Sequence, residues 1–284
     1  MADVRAHRSA GPFRLACART QDDLTLRGDG GRAHLRADGH DAQGKAIWVI
    51  AGDRTTVDRI ELSGAAVPDR NGAGDGFSHN LYVGAVRSLT VTGSWLSDAD
   101  TGHELKSRAA RNTIVANRIS DGDGTASYSI DLPNGGRSLV AGNVVVQGPR
   151  SENAALVSYG AEGLTHPSHT LWVVNNTFVN RRTSGTFVAL AEGSRAHLRN
   201  NLLVGPGDLT DRAGVDARAN RRVGVGWFVA PAAEDFRLRR SSPAVDRGVR
   251  VPLRWRALWE YVAPARRGRR PVVGRVDLGA HELR

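Results

Sequence analysis

Only two of the chain's 39 basic residues are lysine, Lys45 and Lys106; the rest are arginine. Arginine keeps its proton inside a protein, whereas a lysine can be tuned to act as a base. Lys106 lies in the polar stretch Gly102-His103-Glu104-Leu105-Lys106-Ser107-Arg108. Steps of 24, 25 and 27 residues link Tyr82, Lys106, Asp131 and Ser158. Parallel series run through Asn80, Glu104 and Ser129, and through His79, His103 and Tyr128. If these series share one surface, they gather amine, guanidinium, imidazole, phenol and carboxylate within a few strands. Such a set can remove a proton from carbon beside a carboxylate. Lys106 is then the base, and Arg108 neutralises the carboxylate and disfavours the ammonium form of the lysine. Tyr82, Tyr128 or His103 would protonate the leaving oxygen. The expected catalytic group is Lys106, Arg108, His103 and Tyr128. The expected binding group is His79, Tyr82, Glu104, Asp131, Ser158, Tyr159 and Glu162. A plainer expectation competes: Lys106 and Asp131 in one outward column form a structural ion pair.

The elements that would position these residues follow from a repeat. An apolar residue, two others, a small residue or Asn, one other and an apolar residue recur. The copies are Leu62-Ala65-Val67, Val91-Ser94-Leu96, Ile114-Asn117-Ile119, Val140-Asn143-Val145, Val173-Asn176-Phe178 and Leu198-Asn201-Leu203. Their central residues are 29, 23, 26, 33 and 25 apart, the length of one coil of a parallel β-helix with occasional insertions. Each coil has a second short strand, such as Ile47-Ile50, Leu81-Val83, Leu156-Ser158 or Phe187-Leu190, and an earlier coil falls at Leu24-Gly28. Gly, Asn and Asp clusters separate the strands. Strands this short cannot bury a face alone, but stacked in register they share one core. The repeated Asn117, Asn143, Asn176 and Asn201 would form an internal amide ladder. A two-sheet sandwich would show antiparallel hairpin turns and no fixed phase for Asn. The expected fold is all-β, a single-stranded parallel β-helix solenoid.

This pattern resembles the right-handed β-helix proteins of the pectate-lyase-like superfamily over roughly residues 22–284. Ser242-Pro243-Ala244-Val245-Asp246-Arg247-Gly248 with Asp277-Leu278-Gly279-Ala280-His281-Glu282 resembles the closing text of many bacterial secreted members. The expected organisation is a β-helix over 1–249 and an Arg-rich segment over 250–284 that packs on it or extends it. Lys106-Ser107, with Asn112 and Asn117 following, is similar to the Lys-Ser strand of alginate-lyase and chondroitinase-B-type lyases. That resemblance implies Lys106 as base and calcium neutralising a uronate. The family's arginine belongs one coil on, where this chain reads Ser127-Tyr128-Ser129-Ile130-Asp131-Leu132. Asp121 and Asp123, in a Gly-rich turn, offer a calcium site or a bare turn, and the turn is the stronger expectation. Ser158-Tyr159-Gly160-Ala161-Glu162-Gly163 opens an insertion to His169 that would wall a groove, with Glu162 and His166 at its rim.

The implied function is action on an acidic polysaccharide, by lyase or epimerase chemistry at Lys106. The alternative is a non-catalytic glycan-binding or surface scaffold. A net charge of +10 invites a nucleic-acid reading, but residues 250–284 hold nine Arg against three acids, +6 of the total. No basic stripe with interleaved aromatics appears, so nucleic acid is not the expected partner. A lone Cys17 excludes a disulfide framework. No stretch is long and apolar enough to span a membrane. Residues 1–20 carry Arg5 and Arg8 and no apolar run, so they do not read as a signal peptide, although the resemblance implies an extracellular or periplasmic setting.

Overall fold

Strands of two to five residues dominate the chain, and each is too short to stand alone. They are stacked into a right-handed parallel β-helix, the architecture expected from the repeat. The structure, a computed structural model, describes the backbone of residues 2–6 and all of residues 16–29, 32–65 and 79–284. Among the described residues, three sheets of nine, eight and eight strands run the length of the solenoid, and every neighbouring pair within them is parallel. From Leu24 onward the chain visits the three sheets in turn, so each coil gives one strand to each. No described helix is long and apolar enough to cross a membrane.

Register follows the apolar columns. In the first sheet Leu26, Val57, Val91, Ile114, Val140, Val173 and Leu198 lie one above another. In the third sheet Trp48, Leu81, Leu105, Ile130, Val157 and Val188 do the same. All of these are buried and belong to one continuous core. This is the physical reason the register holds through coils of unequal length: a slip would turn an apolar column out to water.

The Asn ladder marks the corner between the first and second sheets. The Asn117 amide N–H donates to Asn143 Oδ1 at 2.9 Å, Asn143 to Asn176 at 3.0 Å, and Asn176 to Asn201 at 2.9 Å. Asn220, which the repeat pattern did not include, adds a rung at 3.1 Å. The residue before each rung turns the corner with positive φ: Arg59, Gly93, Ala116, Gly142, Asn175, Asn200 and Ala219. One copy of the sequence pattern needs correction. Leu62 pairs with Leu96, not Val91, so the true unit is Val57-Ile60-Leu62. The Ile60 amide N–H meets Ser94 Oγ at 3.3 Å, the phase assigned to Ala65. Ile60 is neither small nor Asn, which hid the unit. Val67 and the Gly-rich link from Pro68 to Gly76 lie outside the described residues.

Val251, Trp255 and Ala257 pack against Val115, Ala141, Trp172 and Val174 of the coils. The strands Trp259–Val262 and Arg266–Arg269 form an antiparallel pair. Arg270 is buried, and it donates to Glu282 Oε2 and to the Gly279 carbonyl, both at 2.9 Å. The Ala280 amide then donates to Thr177 Oγ1 at 3.0 Å. Gly279 has φ of 87°, and a Cβ there would meet Leu202 at 2.6 Å, so only glycine allows this close docking.

Candidate functional site

The site lies on the outer face of the third sheet, on strands His79–Val83, Leu105–Ser107, Ile130–Leu132 and Ala155–Tyr159. With Leu81, Leu105, Ile130 and Val157 inward, alternation turns Tyr82, Lys106, Asp131 and Ser158 outward in one column. Neighbouring coils stand about 4.8 Å apart, so long side chains in this column meet.

Lys106 Nζ lies 3.2 Å from Asp131 Oδ2 and 2.7 Å from Glu162 Oε1, and its side chain is 12% exposed. Arg108 follows the strand and keeps the outward parity of Lys106. Its Nη2 is 2.6 Å from Glu162 Oε2, its Nε donates to Tyr82 Oη at 3.0 Å, and its Nη1 donates to Asn134 Oδ1 at 2.8 Å. One carboxylate, that of Glu162, is therefore clasped between an ammonium and a guanidinium. Burial pushes the Glu162 carboxyl up, but the bonds from Lys106 and Arg108 outweigh it and hold it below the usual range.

Glu162 reaches this place on the inserted loop. Its amide donates to the Pro133 carbonyl at 3.0 Å, and the Thr165 amide donates to the Asn134 carbonyl at 3.2 Å. His166 Nε2 donates to the Arg108 carbonyl at 3.0 Å. Gly160, with φ of 84°, starts the loop where a Cβ would collide with Leu164 at 2.6 Å and Ala191 at 2.7 Å.

Beside the column, His79, His103 and Tyr128 form a stack of rings with centroids 4.8 and 5.3 Å apart. The strands at Leu105 and Ile130 begin only after His103 and Tyr128, which frees those two rings from the inward parity of Leu105. The His103 amide donates to His79 Nδ1 at 3.0 Å, and the Tyr128 amide points to His103 Nδ1 at 3.4 Å. Both Nδ1 atoms accept, so each ring carries its proton on Nε2. His103 Nε2 meets Asp131 Oδ2, also the Lys106 partner, at 3.2 Å. Burial pushes the Asp131 carboxyl up, while His103 and Lys106 pull it down further, leaving it below its ordinary value. Asp131 Oδ1 is buried with no hydrogen-bond partner among the described residues.

His79 is buried, and burial together with His103, Lys106, Arg108 and Lys45 lowers its pKa to about 2. An unfolded chain's histidine takes up a proton below about pH 6.5 while His79 in the fold does not, so stability is lost as pH falls below that value. At pH 5 the loss from this one group is about 2 kcal/mol. In urea titrations, His79→Asn is expected to shrink the stability difference between pH 7.5 and pH 5 by about that amount. An unchanged difference would remove His79 as its source.

Two sequence expectations require correction. Glu104 does not join the outer face. It is fully buried in the corner before the strand begins, where alternation does not yet apply. It accepts from the Ala99 amide at 3.0 Å and from the Asn80 side chain, and burial raises its pKa well above the ordinary value. Tyr159 also faces inward, because the strand continues through it and pairs it with Leu132. Its hydroxyl donates to the Gly136 carbonyl, and burial raises the pKa of the phenol. Ser158 keeps its column but is only 2% exposed. The structure adds two residues that the sequence reading gave no role. Asn134 orients Arg108, and Lys45 Nζ sits 5.2 Å from the centre of the Tyr82 ring. The signal for Lys45 was present: it shares the rarity of Lys106 and precedes Ala46, which pairs with His79.

The residues present do not fit a resident calcium ion. Both oxygens of Glu162 and Oδ2 of Asp131 are committed to cationic partners, and no group of three metal-ligating side chains converges among the described residues. In the Gly-rich turn, Asp121 accepts from the Ala126 amide at 3.1 Å and from the Ser151 hydroxyl, which makes it a turn-closing carboxylate.

Comparison with protein families and with curated proteins finds no match. Among solved structures, the crystal structure of pectate lyase Pel9A is similar, with a TM-score of 0.51 at 11% identity over 99% of this chain and 86% of that one. At that identity the likeness concerns the fold alone.

Proposed function

We propose that the outer face of the third sheet binds an acidic polysaccharide and cleaves it by β-elimination at a uronate. The observation that carries this reading is the clasp of a single carboxylate by Lys106 and Arg108 on the outer face of the solenoid, with the Tyr82 hydroxyl against the guanidinium. A uronate carboxylate in the place of Glu162 would have its charge neutralised by Arg108, which Asn134 and Tyr82 hold in orientation. Neutralisation is what makes the neighbouring carbon acid enough to lose its proton. Lys106, as the neutral amine, takes that proton from C5. The electron pair forms the C4–C5 double bond, the C4–O bond breaks, and Tyr82 gives its proton to the leaving oxygen. Return of a proton to the opposite face of C5 would give an epimer instead.

The fold likeness to a pectate lyase makes pectate the first substrate to try. Incubation with pectate, alginate, chondroitin and glucuronan is expected to raise the absorbance of an unsaturated uronate with at least one of them. Flat absorbance with a changed uronate composition by proton NMR would assign the epimerase outcome. Neither signal from any of the four sinks the catalytic reading.

A second reading is favoured by a specific observation: Lys106 is donor to two carboxylates, the posture of a structural or ligand-binding cation rather than a base. A non-catalytic glycan-binding face would show saturable polyuronide binding with no product.

A further inference from the structure

Glu162 fills the clasp that the uronate reading assigns to an incoming carboxylate. Its two oxygens are divided between Lys106 Nζ at 2.7 Å and Arg108 Nη2 at 2.6 Å. The contact spans 56 positions of sequence, so it is a choice of the inserted loop rather than of the strand. The Glu162 side chain is 42% exposed, and the loop lies at the surface, so the carboxylate can leave without opening the core. The site below would not then collapse. Arg108 stays aimed by Tyr82 and Asn134, and Lys106 stays held by Asp131.

Resting on the reading of this face as a uronate site, we propose that Glu162 is a tethered competitor for the substrate carboxylate, held in a clasp that only a free, unesterified uronate can take over. The physical reason is the difference between charge-assisted and neutral hydrogen bonds. A free carboxylate offers two charged oxygens to the two cations and replaces what Glu162 gives up. A methyl ester carries no charge and cannot repay the loss of both ion pairs, so it leaves Glu162 in place. The apparent dissociation constant of such a site is the intrinsic one divided by the fraction of molecules whose site is open. A clasp filled by Glu162 about nine-tenths of the time would bind a free acid about tenfold more tightly once Glu162 is removed.

The test compares wild type, Glu162→Gln and the double variant Glu162→Gln/Arg108→Ala by calorimetric titration. Glutamine keeps the size of the side chain on an exposed loop, so the fold is retained. The probes are oligomers of de-esterified pectate, alginate and chondroitin, with fully methyl-esterified pectin oligomers as the neutral counterpart. Glu162→Gln is expected to bind at least one free acid about tenfold more tightly than wild type, to show no such gain for the ester, and to lose the gain when Arg108 is also removed. Equal or weaker binding of the acids by Glu162→Gln, an equal gain for acid and ester, or no acid bound by either protein overturns the proposal. Tighter acid binding by Glu162→Gln with no unsaturated product leaves the role of Glu162 standing and removes only the elimination chemistry.

Discussion

Lys106→Arg is expected to lower turnover on the responsive polyuronide by about a hundred- to ten-thousandfold, the range a positioned general base contributes. Polyuronide binding should stay within about threefold, because the guanidinium keeps the positive charge. The contrast matters because Lys106 has two possible jobs. As a cation it pairs with Asp131 and Glu162, and arginine can do that. As a base it must give up its proton, and arginine cannot. Steady-state product formation and calorimetric binding, measured on the same preparations, separate the two. Full activity in Lys106→Arg would end the base assignment and move attention to His103, the other proton-bearing neighbour of Asp131 Oδ2. Loss of binding together with activity would instead give Lys106 a binding role set by the size and geometry of its ammonium and not by charge alone.

Asn176→Leu is expected to cost about 3–6 kcal/mol of unfolding free energy, a large share of the total for an ordinary domain. Asn176 sits in the middle of the ladder with its side chain fully buried. Its Oδ1 accepts from both the backbone amide and the side chain of Asn143 at 3.0 Å. Its Nδ2 donates to the Val140 carbonyl at 2.9 Å and to Asn201 Oδ1 at 3.0 Å. Leucine is close in size but pairs with none of these groups, which remain buried. Each unpaired buried group costs about 1–3 kcal/mol, and water cannot reach the corner to replace the lost partner. Denaturant unfolding gives the number directly. A change below about 1 kcal/mol would mean that the ladder is incidental to the stack.

Most of the fold was legible because a solenoid repeats its constraints. Leu81, Leu105, Ile130 and Val157 recur at one coil length, and Asn117, Asn143, Asn176 and Asn201 recur at one corner. Each copy reinforces the others, so local errors such as the misplaced unit at Leu62 do not spoil the whole. The outward column Tyr82, Lys106, Asp131 and Ser158 follows from the same register, since alternation along a strand is a local rule.

Where that rule stops, the sequence stopped informing. Glu104 has the parity of an outward residue, yet it lies one step before the strand, and the corner turns it into the core. Tyr159 looks like the first residue of a loop, yet the strand carries on through it. Periodicity settles which residues share a column, but it says nothing about where a strand begins or ends. Nor could it bring Glu162 onto Lys106 and Arg108, because the path of an inserted loop depends on its bonds to Pro133 and Asn134 of the preceding coil. The repeat, the core and the placing of Lys106 on an outer face were thus determined by the amino-acid sequence alone. The partners of Lys106, and the carboxylate that now fills the clasp beside it, were decided by tertiary structure, since they rest on contacts between segments whose spacing no period controls.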